Sequence, residues 1–237
     1  IVDREIAQIE ALGVRLTCGV CVGRDLPLSR LRAGFDAVVL AAGTLRPNLL
    51  DLPGKELDGI HHGLGFLLAV NEGVGFQVGR QVIVIGGGFT AMDCARAAWR
   101  LQAASVRVLY RRSRNEMLIT PGELEELEQE GIPMEFLVSP VAYLGDAAGH
   151  VRAMRFSRNA LGSPDADGRR RPVPIPGSEF ELPVDTVLLA TGQFPDTTWI
   201  DPDLRSQLVA SDGWLAPGTG HAARTVEIGR ASCRGRV

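Results

Sequence analysis

A glycine-rich turn is the part of this sequence whose residue types and spacing could do chemistry. Gly86, Gly88 and Ala91 fit the pattern G-x-G-x-x-A. The first glycine of such a turn permits a tight bend, the second lets the backbone approach a pyrophosphate, and the alanine lets the helix pack on its strand. The helix N-terminus adds N–H donors and the positive end of a dipole. The sequence therefore predicts dinucleotide contacts from Gly86, Gly87, Gly88, Phe89, Thr90 and Ala91.

The surroundings of the turn distinguish it from an ordinary glycine turn. Residues 81–85 are apolar and mostly β-branched, which predicts a strand of a parallel sheet buried on both faces. Residues 89–103 predict a helix and residues 105–110 a second strand. Together they form a βαβ unit, the context that a dinucleotide motif requires. The alternative is a purely structural strand–turn–helix without a ligand.

The residues after the second strand indicate which nucleotide to expect. An NAD site usually carries an acid about 20 residues beyond the glycine turn, where it holds the ribose 2′-hydroxyl. Here Arg111, Arg112 and Arg114 follow Tyr110, and no acid appears before Glu116. Guanidinium groups offer paired donors to a 2′-phosphate. We therefore predict NADP(H), bound by Arg111, Arg112 and Arg114; the alternative for such a cluster is a solvated loop.

The rest of the chain predicts an α/β fold with a parallel sheet and an antiparallel β-meander. Helices are expected at four stretches: 1–12, 27–32, 63–71 and 122–131. Further strands are expected at three apolar runs, two of which end in glycine: 14–22, 36–43 and 185–192. The meander is expected at three short runs separated by turns: 134–138, 151–157 and 180–182. Arg169–Arg171 then fall in a hairpin loop or, alternatively, at a contact with a partner subunit.

Composition excludes several classes of protein. The 237 residues are 45% hydrophobic and carry a net charge of −3, which excludes a nucleic-acid binder that works by bulk electrostatics. No apolar run reaches the roughly 18 residues of a membrane-spanning helix. Four cysteines are too few for a disulfide scaffold, so a cytoplasmic location is expected. Cys18 and Cys21 form a C-x-x-C that we interpret as buried strand residues; the alternative is a redox dithiol.

Both ends of the chain differ from those of a complete gene product. The chain begins at Ile1 without an initiator methionine. Residues 227–237 resemble the translation of a sequencing adapter, apart from Gly235, and we exclude them from the fold. We therefore expect a gene fragment cut at both ends.

Several motifs together resemble one oxidoreductase family. They are Val84-Ile-Gly-Gly-Gly-Phe-Thr-Ala-Met-Asp-Cys94, Tyr110-Arg-Arg-Ser-Arg-Asn-Glu-Met117, Arg169-Arg-Arg-Pro-Val-Pro-Ile-Pro-Gly-Ser178 and Val187-Leu-Leu-Ala-Thr-Gly-Gln193. In these segments the chain resembles the small (β) subunit family of NADPH-dependent glutamate synthase, to which the flavin- and NADPH-binding part of dihydropyrimidine dehydrogenase also belongs. The resemblance covers nearly all of residues 1–226.

The resemblance implies a Rossmann-like NADPH domain inserted in a partial FAD-binding domain, as in pyridine nucleotide-disulphide oxidoreductases. The implied division is 1–46 and 190–226 for the FAD-binding pieces and 47–189 for the NADPH domain. Cofactor contacts are implied where the chain crosses between the domains, at Ala42, Gly43, Ala190, Thr191 and Gly192.

The resemblance also implies a function for the complete protein. Hydride would pass from NADPH to FAD, and electrons would then pass to iron–sulfur clusters outside this chain and to a large subunit or fused domain. The cofactors would carry the chemistry, so we name no catalytic acid or base and no metal ligand. The alternative is a non-catalytic nucleotide-binding or electron-transfer scaffold subunit.

Three sites depart from the family pattern, one of them at Leu118-Ile119, where a Met-Pro or similar pair is more usual. Phe89 stands where the family usually has Asn or Asp, and Ala42 stands where Thr is usual. The family's first G-x-G-x-x-G, which holds the FAD pyrophosphate, would precede Ile1. We therefore expect this chain to bind NADPH better than FAD.

Overall fold

A computed structural model describes residues 1–215, which divide into two compact units. Residues 45–193 form one unit, and residues 1–44 with residues 194–215 form the other. The adapter-like residues 227–237 lie outside the described residues.

Six α-helices and eleven strands make up the two units in the described part of the chain. The helices are α1 (Val2–Ala11), α2 (Leu28–Gly34), α3 (Gly63–Asn71), α4 (Phe89–Arg100), α5 (Pro121–Gln129) and α6 (Pro202–Leu208), with a 3-10 turn at Arg114–Glu116. The strands are β1 (Arg46–Pro47), β2 (Ile60–His62), β3 (Gln81–Ile85), β4 (Ser105–Tyr110), β5 (Met134–Phe136), β6 (Val138–Gly145), β7 (Val151–Pro164), β8 (Arg170–Pro174), β9 (Phe180–Pro183), β10 (Thr186–Leu189) and β11 (Gln193–Phe194). None of the helices in residues 1–215 has the length and apolar character to cross a bilayer.

A five-stranded parallel sheet forms the centre of the 45–193 unit. Its order is β2-β10-β3-β4-β5, and every neighbouring pair is parallel. The strands predicted at 81–85 and 105–110 are confirmed as β3 and β4, and the run at 185–192 contains β10. All four residues of β10 and the last four of β3 are buried, because helices cover one face of the sheet and a second sheet covers the other.

Alternate residues of the central strands pack into two different cores. The side facing α3, α4 and α5 includes four valines and small residues of α4: Val82, Val84, Val106, Val108, Ala91, Ala95 and Ala98. The opposite side packs against the antiparallel sheet, with Ile83, Ile85 and Leu109 beside Tyr143, Met154 and Phe156. This period-two division explains why the last four residues of β3 are all apolar.

The antiparallel meander is confirmed, with one correction to its membership. Strands β6, β7 and β8 pair in that order, and β9 pairs with β7. The run predicted to begin the meander at 134 instead supplies β5, which pairs in parallel with β4. The α5 crossover returns the chain in the same direction as β4, and this geometry favours a parallel pairing.

The flanking unit keeps its predicted helices but lacks two predicted strands. Helices α1 and α2 lie within or beside the expected ranges, whereas residues 14–22 and 36–43 are not strands. In the described residues neither segment has a neighbouring strand to complete its backbone hydrogen bonds, which a strand needs. Cys18 and Cys21 are consequently exposed, so their interpretation as buried strand residues is wrong.

Candidate dinucleotide site

The glycine turn joins the C-terminal end of β3 to the start of α4. Gly88 is the N-cap of the helix, with φ −107° and ψ 179°, and no side chain caps the helix there. The Gly88 carbonyl accepts hydrogen bonds from the N–H groups of Ala91 (2.9 Å) and Met92 (3.3 Å). The N–H groups of the first helical turn point away from the helix body, as an anion-binding N-terminus requires.

The three glycines have different steric roles. Gly86 has φ +150°, and a Cβ placed there would lie 2.3 Å from the carbonyl oxygen of Ala190. A Cβ on Gly87 would lie 2.4 Å from the ring of Tyr110. A Cβ on Gly88 would meet nothing within 4 Å. Gly86 and Gly87 therefore permit close packing, whereas Gly88 leaves open space in front of the backbone.

The remaining residues of the motif separate into packing and exposed positions. Ala91 is fully buried under α4, as the close approach of helix and strand requires. Phe89 is 43% exposed, and Thr90 is half-buried beside Gly63 at the start of α3. The Cys94 thiol, one turn further, donates to the Gly63 carbonyl, and burial raises its pKa to about 12.

The segment after β10 lies next to the glycine turn. The Ala190 N–H donates to Ile85 O (2.9 Å), and Thr191 and Gly192 are joined to Asn48. Asn48 Nδ2 donates to Thr191 O (3.1 Å), Thr191 Oγ1 donates to Asn48 O (2.7 Å), and the Asn48 N–H donates to Gly192 O (3.1 Å). Asn48 was not foreseen, because its partners lie over 140 residues away in the sequence.

The other predicted crossing residues are placed elsewhere. Ala42 and Gly43 belong to the flanking unit and lie in irregular backbone, with Gly43 at φ +68°. The structure thus brings Gly86–Ala91 and Ala190–Gly192 together within one unit.

The three predicted arginines have three different environments. Arg112 is buried: its Nη2 donates to Asp165 Oδ2 (2.6 Å) and its Nε to Arg170 O (2.9 Å). Arg114 is exposed and paired with Glu128 at 3.2 Å. Arg111 is exposed, and within residues 1–215 it has neither a hydrogen bond nor an ion pair from its side chain. Arg111 is therefore the arginine of this group that is available to a ligand.

A network that sequence reasoning missed supports the loop after β4. The buried Asn159 on β7 donates from Nδ2 to the Arg111 carbonyl at 2.9 Å and to Ser139 Oγ at 2.8 Å. The Ser113 hydroxyl donates to the carboxylate of Glu116, and Arg170 Nε donates to the same carboxylate at 3.0 Å. The Ser113–Glu116 pair is a capping box whose S-x-x-E spacing is a local signal, whereas no local signal identifies Asn159 and Arg170, because the fold alone brings β7 and β8 to this loop.

Glu116→Gln is expected to lower the melting temperature at pH 7. The Ser113 hydroxyl, together with Arg170, holds the pKa of Glu116 below its usual 4.5 despite the opposing effect of burial. A lowered folded pKa stabilises the protein above pH 4.5, and this contribution is lost as the pH falls through the folded pKa. The gap in melting temperature between the two proteins should therefore narrow below pH 4.5. Glu125→Gln, at an exposed position of α5, is the matched control. A difference in melting temperature between the unmodified chain and Glu116→Gln that stays constant from pH 7 to 3 would contradict a stabilising role for the Glu116 carboxylate.

In residues 1–215, no group of three His, Cys, Asp or Glu side chains is arranged to hold a metal ion. His62 is the N-cap of α3, where its Nε2 is buried without a hydrogen-bond partner. Burial lowers the pKa of His62, so the imidazole is biased toward its neutral form.

One protein-family profile matches most of the chain and identifies its family. The profile of the pyridine nucleotide-disulphide oxidoreductase family matches residues 17–216. The chain belongs to this family.

Curated relatives of this oxidoreductase cover most of its length. It is 40% identical over 207 residues to the NADPH-Fe(3+) oxidoreductase subunit beta of Geobacter sulfurreducens, covering 86% of this chain and 31% of that protein. It is 37% identical over 228 residues to the glutamate synthase [NADPH] small chain of Halomonas elongata, covering 90% and 48%. The chain thus spans about a third to a half of the length of these relatives.

Solved structures agree on the fold. Mycobacterium tuberculosis FprA in complex with NADPH matches with a TM-score of 0.69 at 20% identity, covering 91% of this chain and 65% of that chain. The thioredoxin reductase of T. acidophilum matches with a TM-score of 0.51 at 13% identity, covering 79% of this chain and 60% of that chain. The predicted α/β fold is confirmed by these neighbours.

Proposed function

We propose that the 45–193 unit binds NADPH for an FAD-dependent oxidoreductase. The observation that carries this proposal is the position of Gly88 and Arg111 at the C-terminal ends of the adjacent parallel strands β3 and β4. Ligands of open α/β sheets bind at this edge. The open space at Gly88 fits a pyrophosphate, and the guanidinium of Arg111, which has no ion pair within residues 1–215, fits a 2′-phosphate.

The chain's own residues would bind and orient the nucleotide. The α4 N-terminus would direct its N–H groups toward the pyrophosphate, and the Thr90 hydroxyl in the first turn would bind a phosphate oxygen. Arg111 would hold the adenosine end, while Arg112 and Arg114 remain on their carboxylate partners. When bound, NADPH would supply a hydride to the flavin.

The flanking residues would belong to the flavin-binding part of the same protein. We infer that residues 47–189 form the NADPH domain and that residues 1–46 and 190–226 contribute to an FAD-binding domain. Family membership supports this division, since members pair two dinucleotide sites. FAD would then bind in the full-length protein.

The electrons would leave the flavin for iron–sulfur clusters outside this chain and a large subunit or fused domain. The names of the relatives support this route: one is the beta subunit of an NADPH-Fe(3+) oxidoreductase and another the small chain of a glutamate synthase. These names also favour an enzyme over a non-catalytic scaffold.

The binding step can be tested with the chain as it stands. Isothermal titration of the 237-residue chain is expected to show NADPH binding at least 10-fold tighter than NADH, because one charge-assisted phosphate contact contributes about 1.5 kcal/mol or more. Titration with 5′-AMP is the control for the shared adenosine. Equal affinity for NADPH and NADH, or no binding of either, would contradict the proposed function.

A further inference from the structure

The turn between β7 and β8 is fastened to the loop that follows β4. Asp165 receives the buried Arg112 guanidinium at 2.6 Å, and Arg112 Nε binds the Arg170 carbonyl at 2.9 Å. Only 7% of the Arg112 side chain is exposed. This arginine thus anchors the hairpin to the nucleotide loop.

The same carboxylate shapes the turn that carries Arg169. Asp165 Oδ1 accepts the N–H groups of Asp167 and Arg169, each at 3.0 Å, and the Asp165 N–H donates to Arg169 O at 2.8 Å. Asp165 therefore binds the side chain of Arg112 with one oxygen and the backbone of Arg169 with the other. The Arg169 backbone is thus held by the same carboxylate as Arg112, and Arg111 lies between Arg112 and the end of β4.

Positive charge at this junction exceeds the negative charge that balances it. Asp165 binds the Arg112 side chain and the Arg169 backbone, Asp167 Oδ2 lies 3.3 Å from Arg169 Nη2, and Arg111 is near enough for the charges of Arg112, Arg169 and Asp165 to act on it. Loss of water around its guanidinium, followed by the nearby charges of Arg112 and Arg169, lowers the pKa of Arg111. The Nε of Arg169 is buried and has no hydrogen-bond partner among residues 1–215. An unpartnered donor beside an unpaired arginine is the environment that an anion with several acceptor oxygens stabilises.

We propose that Arg169, from the β7–β8 hairpin, is a second binding residue for the 2′-phosphate of NADPH alongside Arg111. The proposal rests on the proposed function, which supplies the ligand, and it adds a residue 58 positions further along the chain. The βαβ unit would then provide one guanidinium and the antiparallel sheet the other. Arg112 has a structural part in this arrangement, because it fastens the two elements together.

Titrations with 2′,5′-ADP and 5′-AMP separate the phosphate contact from the adenosine contact. Arg169→Ala in the 237-residue chain is expected to weaken 2′,5′-ADP binding about 10-fold and to leave 5′-AMP binding unchanged. Arg169→Lys should restore part of the affinity, because it keeps the charge but not the paired donors. Arg171→Ala, which removes an exposed arginine from β8, is the matched control and should leave both affinities unchanged.

The outcomes for Arg169 and for the proposed function are distinguishable. If the unmodified chain binds 2′,5′-ADP no better than 5′-AMP, the proposed function fails before any variant is considered. If the unmodified chain prefers 2′,5′-ADP and Arg169→Ala binds it equally well, the role of Arg169 is overturned. Equal losses for both ligands, or the same loss in Arg171→Ala, would also overturn it, since neither is specific to a 2′-phosphate contact at Arg169.

Discussion

Arg111→Ala is expected to remove most of the preference for NADPH over NADH, with a loss of NADPH affinity of about 10- to 100-fold. The size follows from one charge-assisted contact with a phosphate, about 1.5–3 kcal/mol. Arg111 is the arginine after β4 whose side chain has no ion pair in residues 1–215, whereas Arg112 is already bound to Asp165. NADH affinity should stay the same, because NADH lacks the 2′-phosphate.

Arg107→Ala is the matched control for this experiment. Arg107 is an exposed arginine on the same strand, paired with Glu135 at 3.3 Å, and it lies away from the C-terminal end of β4. Its removal changes the net charge by the same amount as Arg111→Ala. If NADPH affinity falls in both variants, the effect is due to overall charge. If the ratio of NADPH to NADH affinity is unchanged in Arg111→Ala, Arg111 does not bind the 2′-phosphate.

The second large effect is expected at the glycine turn, where two alanine substitutions should affect different properties. One should reduce the stability of the fold, and the other should weaken nucleotide binding. Gly86→Ala is expected to lower the free energy of unfolding by about 3 kcal/mol or more. Its backbone has φ +150°, which side-chain-bearing residues rarely adopt, and its Cβ would lie 2.3 Å from Ala190 O. The Ala190 carbonyl cannot easily move away from this Cβ, because the Ala190 N–H is hydrogen-bonded to the Ile85 carbonyl. Denaturant unfolding of the variant measures this loss.

Gly88→Ala should instead spare stability and weaken nucleotide binding. Its φ of −107° suits any residue, and a Cβ there meets nothing within 4 Å, so the cost should stay near 1 kcal/mol, the loss of a glycine N-cap. The added methyl group would occupy the space of the approaching pyrophosphate, and NADPH affinity should fall at least 10-fold by titration. Equal stability losses in Gly86→Ala and Gly88→Ala would contradict this division of roles.

The sequence was sufficient to predict the elements whose signals are local. The βαβ unit was found at its predicted residues because β3 and β4 are buried on both faces and the glycine turn has a specific pattern. Family resemblance added the crossing at Ala190–Gly192, which the structure places beside Gly86.

Non-local pairing accounts for what the sequence did not predict. Segments 14–22 and 36–43 have the composition of strands, but a strand forms only beside a partner, and residues 1–215 offer none. The sequence favoured Arg111 and Arg112 equally over Arg114, and the ion pairs with Asp165 and Glu128 now distinguish the three. Neither acid lies near enough in the sequence for its pairing to be foreseen.

The hydrogen bonds between Asn48 and the Thr191–Gly192 segment have a consequence for how this unit can be transferred between proteins. They bring the two ends of the 45–193 unit within 3.1 Å of each other, and the first and last strands of its parallel sheet, β2 and β10, are neighbours. A unit whose ends meet can be transferred as a cassette into a surface loop of a host domain without stretching that loop. Nucleotide preference could therefore be exchanged between proteins by transferring this cassette whole, provided that the β7–β8 hairpin travels with the βαβ unit.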